Sequence, residues 1–126
     1  MFNENLKLSG QLAIVLRDKD GNVKEERTEK NLVVTTGLNY IASRMKDATA
    51  TAMTHMALGS GTTTAAAGQT DLVTLLGARE ALDSTTVTAN AVAYVASFEA
   101  GDATGAVTEA GIFNASTGGT MLCRVK

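Results

Sequence analysis

Few side chains in this 126-residue chain are equipped for chemistry, and their spacing decides what each could do. It has one histidine, His55, and one cysteine, Cys123. A nucleophile would have to be Ser60 or Cys123, with His55 as its base. Neither lies in the Gly-x-Ser-x-Gly turn that presents a nucleophile at a strand end. Cys123, within Met121-Leu122-Cys123-Arg124-Val125, reads as a packed core or interface residue. A lone thiol also excludes an intrachain disulfide and a Cys zinc cluster. Asp18, Asp20, Asn22 and Glu29 have the spacing of calcium-loop positions 1, 3, 5 and 12. Val23, however, stands where that loop needs glycine, and both flanks alternate like strands rather than helices.

Two further arrangements fall away on the same grounds. The run Gly59-Ser60-Gly61-Thr62-Thr63-Thr64 is glycine-rich like a phosphate cradle, yet no lysine occurs between Lys46 and Lys126 to complete one. Glu80, Glu99 and Glu109 would suit glycoside hydrolysis only as a pair in a cleft, usually with aromatic sugar platforms. The chain has five aromatic rings and no tryptophan, so each glutamate reads as a surface or salt-bridge residue. No catalytic residue, cofactor or metal site is expected.

The elements that carry these residues follow from period and punctuation. Residues 6–16 alternate, with Leu6, Leu8, Leu12, Ile14 and Leu16 apolar, as a half-buried strand does. Asp20-Gly21 supplies a tight hairpin turn, and residues 23–27 return as a polar strand. Thr35 or Thr36 is placed to cap a short helix over about residues 36–46, with Leu38, Ile41, Ala42 and Met45 as its apolar face and Lys46 in its last turn. His55-Met56-Ala57-Leu58-Gly59 is a strand, and residues 65–76 carry at most a turn of helix. Strands follow at 79–87, 89–99, 107–114 and 120–125. Both faces of 89–99 are apolar or small, so neither is required to meet bulk water. One helix among seven or so strands, with turn signals every 8–12 residues, predicts a β-sandwich or barrel. The whole chain, 1–126, reads as one such domain.

Composition sets the remaining limits. Twenty alanines, eighteen threonines and twelve glycines accompany no proline. Eleven basic and thirteen acidic residues give a net charge of −2, which offers no surplus of cations for nucleic acid. The first 47 residues hold eight of the basic and seven of the acidic side chains, leaving nine charges for the other 79 positions. That long remainder must be kept soluble by Thr, Ser, Asn and Gly, or be covered by partners. The N-terminus has no basic n-region or apolar h-region, and no apolar run reaches the ~20 residues of a membrane helix. Synthesis and folding in a cytosol, with no membrane partner, is the expectation.

From Asn31 onward the chain resembles a known group. The features run in a fixed order: Asn-Leu-Val-Val-Thr-Thr-Gly-Leu (31–38), Met-Ala-Leu-Gly-Ser-Gly-Thr-Thr (56–63), Asp-Leu-Val (71–73) and Arg79. Then come Val-Ala-Tyr-Val-Ala-Ser-Phe (92–98), Gly101, Glu-Ala-Gly-Ile-Phe-Asn (109–114) and Gly-Gly-Thr-Met-Leu-Cys-Arg (118–124). This order, over about three-quarters of the chain, looks like the small virion structural proteins of tailed bacteriophages, either capsid cement (decoration) proteins or tail-fibre-like proteins.

The resemblance implies a mainly β, jelly-roll-like antiparallel sandwich without catalytic residues, present in many copies on the virion after synthesis in the host cytoplasm. Its implied partners are the major capsid protein and further copies of itself, as a dimer or trimer. Relatives run on past the strand that ends here, so a closing strand is expected beyond Lys126 or from elsewhere. The absence of a 20–50-residue repeat and the scarcity of aromatic and arginine anchors favour capsid cement over a tail, fibre or baseplate part. Residues 1–8 form a candidate N-terminal arm, with Phe2, Leu6 and Leu8 as its partner contacts.

Overall fold

A computed structural model describes residues 7–126. The chain opens with a hairpin, β1 (Gly10–Arg17) against β2 (Val23–Val33), followed by helix α1 (Thr35–Asp47). Six strands then follow: β3 (His55–Gly59), β4 (Glu80–Ala81), β5 (Ser84–Thr88), β6 (Ala91–Val95), β7 (Glu109–Phe113) and β8 (Met121–Val125). The large sheet has the order β1-β2-β8-β7-β3-β4 with antiparallel neighbours, and β5-β6 forms a second, two-stranded sheet. The expected mainly β, antiparallel sandwich-like arrangement with one short helix is what forms.

The period-2 rule sorts the core into two layers. In the register of β3, β7 and β8, Met56, Ile112 and Cys123 share one face of the sheet. Leu82, Tyr94, Ala96 and Phe98 pack over that face from the β5–β6 side, and Tyr40 joins them from α1. On the opposite face, Ala57 and Phe113 pack with Val34, Met121 and Leu72, the last from the segment 60–79. Each large apolar side chain buried this way contributes roughly 1.5–3 kcal/mol.

Several elements differ from the sequence expectation, each for a physical reason. The first strand begins at Gly10 rather than at residue 6; Phe2 and Leu6 lie outside the described residues. The turn is a hairpin turn as expected, with Gly21 at φ 84° and the Asp18 carboxylate accepting from the amides of Asp20 and Asn22. Residues 65–76 form no helix: the amides of Val73 and Thr74 donate to the Glu109 carboxylate, the Leu76 amide donates to the Leu58 carbonyl, and the carbonyls of Ala67 and Thr74 accept from Thr35 and Ser60. The expected strand 79–87 is split: β4 pairs with β3, and Leu82-Asp83 carries the chain over to the second sheet. In β6, Tyr94 is half-buried while Val92 and Val95 are about half exposed, so the strand is covered near its end only.

Helix α1 shows how a close approach can override pattern. Its N-cap is Val34, with no side-chain cap; Thr36 donates instead to the Met121 carbonyl at 3.2 Å. The aliphatic face expected from the sequence is largely wet, with Met45 70% and Leu38 43% exposed. The helix instead turns Gly37, Tyr40 and Ile41 inward, spaced i, i+3, i+4, with Gly37 buried. A Cβ on Gly37 would run into the Leu122 carbonyl. This glycine lets α1 lie directly on β8. At the other end Ala48 closes the helix in the left-handed region (φ 56°), where glycine is normally preferred.

Two substitutions therefore act against helix propensity. Gly37→Ala, favourable in a free helix, should lower stability by about 2 kcal/mol or more through overpacking. Ala48→Gly should raise it by about 1 kcal/mol. Urea unfolding midpoints at unchanged m-value check both.

Candidate interaction surface

The most strongly organised polar group in the molecule is internal. Glu109, 2% exposed, lies on β7 beside Arg124 of β8, which is fully buried. Arg124 donates from Nε to Glu109 Oε2 at 2.9 Å, and its Nη2 stands 2.7 Å from the same oxygen without being aligned to donate. Three backbone amides of the segment 60–79 converge on the same carboxylate. Gly61 and Thr74 donate to Oε1 at 2.9 and 2.7 Å, and Val73 to Oε2 at 3.0 Å. Gly61 is required here, since a Cβ on it would sit 2.5 Å from Oε1. Arg124 Nη1 also donates to Gln69 Oε1 at 3.0 Å. Burial alone would raise the Glu109 pKa; the amides of Thr74 and Val73, the Arg124 guanidinium and the Gly61 amide outweigh it and hold the carboxyl below its ordinary value.

A second arginine fastens the other end of the same segment. Arg79 lies 3.5 Å over the Phe113 ring centroid and donates to the carbonyls of Ala115 and Gly118 at 2.9 and 2.8 Å, in the β7–β8 connection. Its contact with Asp71 is 3.5 Å long, and that carboxylate is mostly exposed, so it adds little.

The residues singled out for chemistry are held apart. His55 opens β3, with Nδ1 2.7 Å from the Thr54 hydroxyl; Ser60 follows the far end of that five-residue strand, about 16 Å along it. Cys123 is buried in the layer beneath Tyr94 and Phe98, where burial pushes its thiol up to about 11, so it stays protonated and unreactive. Glu99 is exposed, Glu80 sits on the short edge strand β4, and neither is among the partners of Glu109. Among the described residues no cluster of His, Cys, Asp or Glu could hold a metal ion, and no helix is long and apolar enough to cross a membrane.

The sequence reading missed Arg124, Gln69 and Arg79 as structural fasteners. The available signal was scarcity: Glu109 and Arg124 are isolated charges inside apolar strands, in a stretch with few charges at all.

What the fold leaves unsatisfied lies outside. Hairpin β1–β2 pairs with the body at Leu32 and Val33 of β2, opposite Arg124 and Cys123, and Asn31 Nδ2 donates to Cys123 Sγ at 3.4 Å. Leu12, Ile14, Arg27 and Glu29 line a shallow pocket with Val107, Val125 and Lys126 of the body. The end nearest the turn projects, with Val15, Leu16 and Val23 each 46–49% exposed. Hairpin β5–β6 likewise projects beyond Tyr94, leaving Val87 69% and Val92 47% exposed. Leu8, the one arm contact within the described residues, is 41% exposed just before β1.

No family model, no curated protein and no solved structure matches this chain.

Removing one member of the internal pair leaves the other charged and buried. Glu109→Gln should cost about 3–5 kcal/mol, and adding Arg124→Met should recover part of that loss. Because folding lowers the Glu109 pKa, its contribution is full above the unfolded value of about 4.3 and fades as pH falls through the lowered folded value. Chemical denaturation across acidic pH should show this loss in the wild type and a shallower one in Glu109→Gln.

Proposed function

We propose that the chain is a capsid cement (decoration) protein, binding the outer surface of a tailed-phage head through the major capsid protein and stabilising the shell. The observation that carries this reading is the pair of projecting hairpins, whose aliphatic side chains are left in water by a lone chain. A monomeric soluble domain rarely leaves such side chains grouped on outward-standing elements unless something covers them. The ordered resemblance from Asn31 to Arg124 supports the choice of partner.

The body between the hairpins fits the same role. Of the nine charges in residues 48–126, Glu109 and Arg124 are internal and the Arg79 side chain is 5% exposed, which leaves Lys126 as the one exposed cation of that stretch. Its surface is mostly Thr, Ala, Ser and Gly, which can lie against a broad protein surface with little charge desolvation. A cement protein acts by mass action: a ligand that binds only the expanded shell stabilises that state by RT ln(1 + [L]/Kd) per site, repeated over every site.

Particles lacking the protein should release DNA at lower temperature, and adding purified protein to expanded heads should restore the wild-type profile. The mass-spectrometric copy number should approach that of the major capsid protein. A handful of copies per virion with unchanged head stability would overturn the reading in favour of a tail, fibre or baseplate part.

A further inference from the structure

The two open edges of hairpin β1–β2 differ sharply. Beyond Leu32, the edge of β2 that β8 leaves uncovered carries six charged side chains: Lys24, Glu25, Glu26, Arg27, Glu29 and Lys30. This is how sheet edges are ordinarily protected from pairing with other chains. Strand β1 is the outermost strand of the six-stranded sheet, and nothing among the described residues pairs with its outer edge. It is eight residues long, and from Leu8 to Leu16 the chain has no charge and no proline. One edge is guarded and its neighbour is bare.

We infer that β1 is a homodimerisation edge: β1 of a second copy adds antiparallel to it about a two-fold axis centred on Ile14, forming a continuous sheet β2-β1-β1-β2 across the two copies. The self-complementarity of the strand identifies the occupant. A two-fold axis perpendicular to a sheet keeps each copy's faces on the same side, so the pairing must join residues of equal parity. Centred on Ile14, it sets Leu12 opposite Leu16, Ala13 opposite Val15 and Gln11 opposite Arg17, with no like charges facing each other. Moving the centre to Val15 would set Leu12 against Asp18.

The same pairing brings together aliphatic side chains that one copy leaves partly wet. Leu12 and Ile14 are half-buried and Leu16 is 49% exposed, all on one face; Ala13 and the 46%-exposed Val15 are on the other. Beyond its pairing with β8 at Leu32 and Val33 the hairpin is two strands wide, and a second copy would widen that part to four strands with an apolar face. An isologous edge contact uses each β1 once and so closes at two copies. Dimerisation of this kind takes up Val15 and Leu16 of the first hairpin and leaves Val87 and Val92 of the second for docking on a virion.

Sedimentation equilibrium tests it in three arms. The wild-type chain should approach twice the 13.0 kDa of one copy across the micromolar range. Ala13→Lys/Val15→Lys and Ala13→Glu/Val15→Glu, each with a wild-type circular dichroism spectrum, should sediment as monomers because like charges then face each other. Mixing the two variants should restore the doubled mass, because the lysines introduced in one copy would then oppose the glutamates introduced in the other. A monomeric wild type, a trimer, a dimer indifferent to both variants, or a mixture that stays monomeric would each overturn the inference.

Discussion

The architecture hangs on one carboxylate. Glu109 takes two backbone amides on one oxygen, and a third amide together with the Arg124 guanidinium on the other. A buried ion pair is by itself weak evidence for stability, since desolvating both charges offsets most of their attraction. Here the pair solves a different problem. Residues 60–79 cover one face of the sheet with little regular structure, and a covered backbone amide without an acceptor costs about 1–3 kcal/mol. Glu109 supplies acceptors for three of them, in place of the carbonyls of a neighbouring strand.

That solution determines how the covering segment is built. Leu72 is its buried aliphatic anchor, so polar fasteners position much of the rest. Gln69 Oε1 accepts from both Arg124 and the Ala66 amide, Gly59 bridges to Leu75, and Arg79 reaches from the segment to the β7–β8 connection. The segment is thus tied at one end through β8 and at the other through Arg79. With three charges drawn inward, the exterior of residues 48–126 becomes nearly free of cations, while the first hairpin keeps a dense charged strand beside a bare one.

Local features were legible where their cause was local. The Asp18–Asn22 turn was readable because an Asp side chain and a glycine at positive φ close it within five residues. The strands around Met56, Ile112 and Cys123 were readable as short apolar runs between turn signals. The face of α1 was not, because an aliphatic count passes over Gly37, and what makes that glycine the contact point is the Leu122 backbone, some 85 residues away. Phe2 and Leu6, expected as arm contacts, lie outside the described residues, so the proposed interaction surface rests on Leu8 and the two hairpins.

Amino-acid order alone determined the class of the fold, the first hairpin, the single helix among the described residues and the scarcity of chemically capable side chains. Periodicity, turn chemistry and composition act over a few residues and need no partner to operate. Only the tertiary structure decided that Glu109 and Arg124 face each other from neighbouring strands, that Arg79 stacks on Phe113, and that β1 is left as the outermost strand of the large sheet. Those facts depend on strand order and on which face each residue takes in a long-range register. A shift of one residue in the β7–β8 register would have turned Glu109 and Arg124 to opposite faces of the sheet.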